Sequence, residues 1–360
     1  MGGNKPHPRG GLIVGNYCHD LLIKDDVVLA ETLGGAVSFI SAVLHPLNIP
    51  SDYVSKVGPD FAYTNKLNHP PIVSPSHNTT LFHAHFFSEV RREDRILKRI
   101  RSCAPISPSD LPDRSDADGA GFSFGMAVGV AGEISPATLE KMVDVCDVVL
   151  VDIQALIRVF DEIDGTVRLV SLKESGFAHL LPRIGFLKAS AEEAPYVDVE
   201  EARKWCCVVV TSGEDGCTVY WKDGEMRISP FPTVQVDPTG AGDSFLGGLV
   251  AGLVQGLAVP DAALVGNFFG SLTVGQIGLP EFDSRLMQKV KDEMQRRKTQ
   301  YDGRDGESRF MKPRGHEQFI ASLQAAKLPT SSRPISPDHS MLFLKNSVLE
   351  EPIKSVDTKP

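Results

Sequence analysis

Asp237-Pro238-Thr239-Gly240-Ala241-Gly242-Asp243-Ser244-Phe245 sets two carboxylates around a run of residues with little or no side chain. The segment before it, Met226 to Val236, alternates and ends like a strand. The segment after it, Leu246 to Leu257, is apolar and glycine-spaced like a helix buried against other elements. The glycines therefore fall at a helix N-terminus, where unpaired backbone N–H groups and the helix dipole favour an anion. Gly240, Ala241 and Gly242 let a phosphate approach that backbone closely. Asp243 would repel a phosphate, so its carboxylate suits a group that loses a proton, such as a hydroxyl about to attack a phosphoryl group. A helix cap is the other role open to an Asp at this place.

The rest of the chain supplies elements that could position such a site. Gly11 to Asn16 reads as a buried first strand, ending in Asn16-Tyr17-Cys18-His19-Asp20, where open α/β sheets gather ligands. Leu33-Gly34-Gly35 opens a helix expected over Val37 to Leu47. Tyr53 to Val57 and Thr79 to Phe87 read as strands, the latter with His83 and His85 on one face. From Phe122 onward strands and helices alternate: strand 122–130, helix 135–146, strand 148–152, a helix from about Ala155, strand 185–189, helix 199–204 and strand 207–211. That rhythm marks β-α-β units and a mostly parallel sheet. Further helices are expected at 261–277, 286–298 and 318–326. Ser190-Ala191-Glu192-Glu193 follows a strand directly and fits a capping box as well as a polar site at the sheet edge. Asn267, on an otherwise apolar helix, needs a partner if buried.

Asp237 to Leu249 resembles the C-terminal signature of the ribokinase-like (pfkB) carbohydrate kinases at every restricted position. The similarity runs from about Leu12 to about Leu323 and includes Gly34-Gly35, Ser190-x-x-Glu193 and Val210-Thr211-Ser212-Gly213. It implies a ribokinase-like α/β fold, a mostly parallel central sheet flanked by helices, with a small β-lid from segments near 17–32 and 79–105. The kinase domain would span 11–327. The implied reaction is ATP-dependent phosphorylation of a small polyol. Asp243 would be the general base, and the Gly240, Ala241 and Gly242 backbone, with the Asp243 N–H, the anion hole. The resemblance further assigns Ser190, Thr211, Gly213 and Asn267 to ATP, and Asp20, Gly34 and Gly35 to the acceptor. Glu193 would hold Mg²⁺ through water. Asp237 and Thr239, with backbone near 271–278, would form a site for K⁺. Leu187 to Ala194 and the polar tail are most similar to family members that phosphorylate myo-inositol at the 3-hydroxyl. Fructose, ribose or a nucleoside are alternative acceptors, and a kinase-like regulatory subunit without catalysis is the alternative class. The chain departs from the family at Ser38 and Ser190, where Asn is usual, and at Pro238, where Thr is common.

Composition narrows the partners. A net charge of −9 over 360 residues argues against nucleic acid or an anionic membrane as partner. The basic run from Arg91 to Arg101 is broken by Glu93 and Asp94 and reads as a solvated face. Six cysteines form no C-x-x-C pair or paired framework, so reduced thiols in the cytoplasm are expected, with access to the nucleus open. No run of eighteen apolar residues occurs, and no Walker loop. A monomer or a homodimer is expected. Residues 1–10 and 328–360 are polar and broken by Pro, Ser and Gly, and read as disordered.

Overall fold

In the computed structural model the described residues are 9–86, 96–114, 120–301 and 309–327. The expected disordered ends, but for Arg9 and Gly10, and the first half of the basic run, 91–95, lie outside them.

Short valine-, leucine- and isoleucine-rich runs build an eight-stranded sheet. Across it the strands are Gly224–Ile228, Cys217–Trp221, Cys207–Thr211, Phe186–Ser190, Val149–Asp152, Phe122–Ala127, Arg9–Val14 and Ser51–Val54. The last six are parallel, and the first two form an antiparallel hairpin at one edge. Alternate residues serve opposite faces: Ile13 joins one apolar cluster with Val37, Leu249 and Phe268, while Leu12 and Val14 join another with Leu139 and Met142. Strand order reverses at Arg9–Val14, which lies between Ser51–Val54 and Phe122–Ala127. Such a reversal opens a crevice at the carboxyl ends of the strands.

The signature helix is Ala241–Val254, and it packs along Val259–Thr273. A Cβ at Gly252 would lie 2.8 Å from that of Ala262, and one at Gly248 would lie 2.8 Å from the Val265 carbonyl oxygen. The glycine spacing therefore serves close helix packing.

A second sheet, in the order Val27–Gly34, Cys18–Lys24, Thr80–Phe86, Ile96–Arg101, stands over the crevice. Its central pair is parallel, with Asp20 opposite Phe82 and Leu22 opposite Ala84. Those four line the pocket below. His83 and His85 alternate with Phe82 and Ala84, their rings 5.9 Å apart. No metal-capable group of three side chains occurs among the described residues.

Three expectations differ from the structure. The alternation from Met226 does not reach Val236, because the strand stops at Ile228. Pro230 and Pro232 lack the N–H that a ladder needs, and the chain runs irregularly to Gly240. The helix expected from Ala155 is one turn, Gln154–Ile157. An antiparallel hairpin follows, Arg158–Phe160 with Val167–Leu169. β-branched Val159, Thr166 and Val167 favour the hairpin, and Gly165 turns it at φ 72°. Several ends shift by a few residues: the first strand is Arg9–Val14, and the helices Ala36–Leu44, Pro136–Val145, Val199–Ala202, Ser284–Thr299 and His316–Lys327.

Candidate active site

Four segments meet in one pocket at the carboxyl side of the sheet. The small sheet brings Asp20, the turn before helix Ala36–Leu44 brings Gly35, the end of Val149–Asp152 brings Gln154 and Arg158, and the signature brings Gly240 and Asp243.

Gly240 precedes the signature helix at φ 74°, a left-handed conformation that costs other residues about 1–2 kcal/mol. A Cβ there would lie 2.0 Å from the Phe39 ring. No side chain caps this helix end. The N–H groups of Gly240, Gly242 and Asp243 make no hydrogen bond among the described residues, while that of Ala241 reaches the Pro238 carbonyl at 3.3 Å. The helix end thus offers N–H donors to an anion.

Asp243 is in the first turn, but its side chain does not cap the helix. Its Oδ1 accepts a hydrogen bond from Gln154 Nε2 at 3.1 Å, while Oδ2 makes none among the described residues and Asp243 lines the pocket. Asp243 is half-buried, and burial pushes its carboxyl above the ordinary value. Lys188, Arg158 and the Gln154 hydrogen bond oppose that rise, and Glu193 adds to it. A carboxylate with a raised pKa is a better proton acceptor.

Against the bare helix end, at Gly242, lies a buried ion pair. Lys188 Nζ is 2.9 Å from Asp152 Oδ2, and both side chains are buried. The same ammonium sits 2.8 Å from where a Cβ on Gly242 would be. Burial works against the Lys188 charge, but Asp152, Glu193 and Asp243 together hold it protonated. Burial raises the Asp152 carboxyl, against Lys188.

Ser190 and Thr211 are register partners at the carboxyl edge of the sheet. Glu193 Oε2 accepts from the Ser190 N–H at 2.8 Å, and the Glu193 N–H donates to Ser190 Oγ at 3.2 Å, so the capping-box bonds do form. Burial raises the Glu193 carboxyl, but Lys188, Arg158 and the Ser190 bonds bring it below its ordinary value. Glu193 is therefore a charged oxygen donor close enough to Lys188 for the two charges to hold each other. Gly213 follows at φ 54° with open space around it.

Asp20 faces the pocket from the small sheet. Gly34 makes room for it, since a Cβ at 34 would overlap the Asp20 carboxyl at 2.1 Å. Gly35 has φ 86°, and its missing Cβ would meet the Asn16 carbonyl oxygen at 2.4 Å. Ser38, the departure from the usual Asn, donates Oγ to the Gly35 carbonyl at 2.7 Å and is buried in the turn.

Asp237 takes the Thr239 N–H on Oδ1 at 2.9 Å and the Gly278 N–H on Oδ2 at 3.2 Å. It ties the signature to the loop after Val259–Thr273. Asn267 lies away from this pocket: its Nδ2 donates to the Ile228 and Ser229 carbonyls at 3.3 and 2.9 Å. Those bonds account for an amide on an apolar helix without a ligand.

Sequence reasoning missed Gln154, Arg158 and Lys188 as members of this site. The signal was polar side chains inside, or directly after, apolar strands that end at the crevice: Asp152-x-Gln154-x-x-x-Arg158 and Lys188 before Ser190.

Residues 144–283 match the pfkB family of carbohydrate kinases. The chain is 62% identical over 295 residues to inositol 3-kinase of Arabidopsis thaliana, covering 81% of each. It is 50% identical over 334 residues to inositol 3-kinase of Oryza sativa subsp. japonica, covering 88% of this chain and 82% of the relative. The fold is also that of a nucleoside kinase of Methanocaldococcus jannaschii, an archaeal member of the ribokinase family. There the TM-score is 0.60 at 19% identity, over 76% of this chain and 94% of that one. A signature aspartate at a bare helix end, the ribokinase fold and relatives this similar carry one conclusion: the chain belongs to the pfkB family of carbohydrate kinases.

Proposed function

We propose that this protein transfers the γ-phosphoryl group of ATP to the 3-hydroxyl of myo-inositol. The observation that carries the reading is the pocket itself. It holds Asp243, with one oxygen fixed by Gln154, beside the unpaired N–H groups at Gly240 and Gly242, and Asp20 faces them from the small sheet. The kinship with two plant inositol 3-kinases supports the choice of acceptor.

In this reading Asp20 and the Gly34-Gly35 turn hold the polyol so that one hydroxyl reaches Asp243 Oδ2. The hydroxyl oxygen bonds to the γ-phosphorus, the bond from that phosphorus to the β,γ-bridging oxygen breaks, and ADP leaves. The hydroxyl proton goes to Asp243. N–H groups of Gly240 to Asp243 take the charge of the transferred oxygens. Ser190, Thr211 and Gly213, at the sheet edge nearby, border the nucleotide, and Asn267 shapes its adenine end through Ile228 and Ser229. The small sheet acts as a lid that keeps water from competing with the polyol.

Glu193 is charged, and its Oε1 makes no hydrogen bond among the described residues. That fits a hard cation held through water, and a Mg²⁺ ion there would neutralise charge on the ATP phosphates. Asp237 offers further oxygen lone pairs beside Thr239 and the 271–278 backbone, a donor set that fits K⁺. No described helix is long and apolar enough to cross a membrane.

The test is ADP release by purified protein with Mg-ATP against myo-inositol, fructose, ribose, adenosine and no acceptor, with the product's phosphate located by NMR. Selective turnover of myo-inositol to the 3-phosphate is expected. Selective turnover of another acceptor would overturn the substrate, and ATP binding without turnover would overturn the activity.

A further inference from the structure

Arg158 begins the hairpin that follows the single turn Gln154–Ile157. That hairpin joins the small sheet: Arg99 N–H donates to the Gly165 carbonyl at 2.8 Å, and Lys98 bridges to Thr166. Arg158 thus stands where the small sheet meets the main one, and its side chain lines the pocket with Asp20, Gly240 and Asp243.

Its guanidinium is unusual in having no mate. Among the described residues it makes no hydrogen bond and no ion pair within 4 Å. Among the described residues the buried Lys188 and Arg297 behave otherwise: Lys188 has Asp152 at 2.9 Å and Arg297 has Asp261 at 2.5 Å. A half-buried guanidinium loses hydration, so leaving it unmatched disfavours the empty pocket unless an anion is to arrive. Asp243 and Glu193 feel its charge without bonding to it.

The neutral polyol brings no charge. The transferred phosphoryl group does, and in the kinase reading it passes between Gly240 and Asp243, which line the same pocket as Arg158. A planar fork of N–H donors matches phosphoryl oxygens, which a point charge such as Lys188, locked on Asp152, does not.

We propose that Arg158 is a catalytic residue that binds the phosphoryl group in flight, opposite the N–H groups at the signature helix. This rests on the kinase reading above. Since the interaction grows as the phosphoryl group detaches, removing it lowers kcat and leaves acceptor binding in place.

The experiment compares wild type, Arg158→Ala and Arg158→Lys for kcat and for the KM of ATP and myo-inositol, with far-UV circular dichroism as the check on folding. Arg158→Ala is also assayed with added millimolar guanidinium. We expect Arg158→Ala to lose about 10³-fold in kcat, in the range of other in-place arginines at phosphoryl transfer, with myo-inositol KM changed by less than about threefold. Arg158→Lys should recover part of the loss, and guanidinium should rescue Arg158→Ala. Unchanged kcat overturns the inference. So does a raised myo-inositol KM at unchanged kcat, which would make Arg158 an acceptor contact. Inactivity of both variants, with no rescue, overturns it in favour of a structural role. Wild type without turnover would refute the kinase reading itself, whereas active wild type beside an unimpaired Arg158→Ala refutes this inference alone.

Discussion

Replacing Lys188 by methionine removes the ammonium that Asp152, Glu193 and Asp243 share. Two unit charges 4 Å apart at an effective dielectric near 20 attract by about 4 kcal/mol, and the Lys188–Asp152 pair is closer, at 2.9 Å. Much of that attraction offsets desolvation. Deleting one partner nevertheless costs about 3–5 kcal/mol, because a buried carboxylate is left without a counter-charge. A domain of this size loses roughly 2 °C for each kcal/mol, so Lys188→Met should melt about 6–10 °C lower at neutral pH. Lys188→Met with Asp152→Leu removes both charges and should regain most of the loss, with a coupling of about 2 kcal/mol or more. Catalysis reports the same charge. Lys188 lowers the Asp243 carboxyl against the rise from burial, so its removal lifts that carboxyl further. The base works deprotonated, and kcat falls as pH drops through its pKa. The acid limb of kcat should therefore move to higher pH in Lys188→Met. Thermal melts and a pH profile of ADP release measure the two effects. A single variant that melts within about 1 °C of wild type, with its acid limb unmoved, would refute the reasoning.

Other perturbations separate the parts of the site. Gly240→Ala places a Cβ 2.0 Å from the Phe39 ring at φ 74°. It should cost about 2–5 kcal/mol of stability by denaturant titration and weaken ATP binding by calorimetry. Gly34→Ala displaces the Asp20 carboxyl and should raise the myo-inositol KM about 10-fold or more, the equivalent of one hydrogen bond to a charged group, with ATP KM unchanged. Far from the pocket, Asp261 is fully buried and bonded by Arg297, Tyr301 and His316. Asp261→Ala should destabilise by about 3–5 kcal/mol in the same titration while kcat stays at the wild-type value.

The placement of Asp243 at a bare helix end in the pocket was readable because the signature is local. Three small residues at a helix start leave its N–H groups open to an anion wherever the helix lies. The parallel sheet was readable from alternating apolar runs. Lys188 and Gln154 were not, since what they do depends on neighbours brought in from other elements: Asp152 lies 36 residues before Lys188, and Asp243 lies 89 residues after Gln154. Arg158 was hidden by a period misread, because the apolar residues after Ala155 fit one helical turn before the hairpin begins. The strand expected to reach Val236 failed on the backbone chemistry of Pro230 and Pro232, which the alternation of side chains does not reveal. Ser190 and Glu193 show the opposite case. Both capping-box bonds form, and Lys188 and Arg158 hold the Glu193 carboxyl below its ordinary value, so the capping reading is met and the pair stays compatible with the polar-site reading.

The most direct measurement compares wild type and Asp243→Asn for ATP-dependent phosphorylation of myo-inositol under saturating substrates, with ATP affinity measured in parallel. Loss of the general base should lower kcat by about 10²–10⁴-fold while ATP affinity stays within a few-fold. An Asp243→Asn enzyme that turns over myo-inositol at the wild-type rate would contradict the assignment of the proton to Asp243.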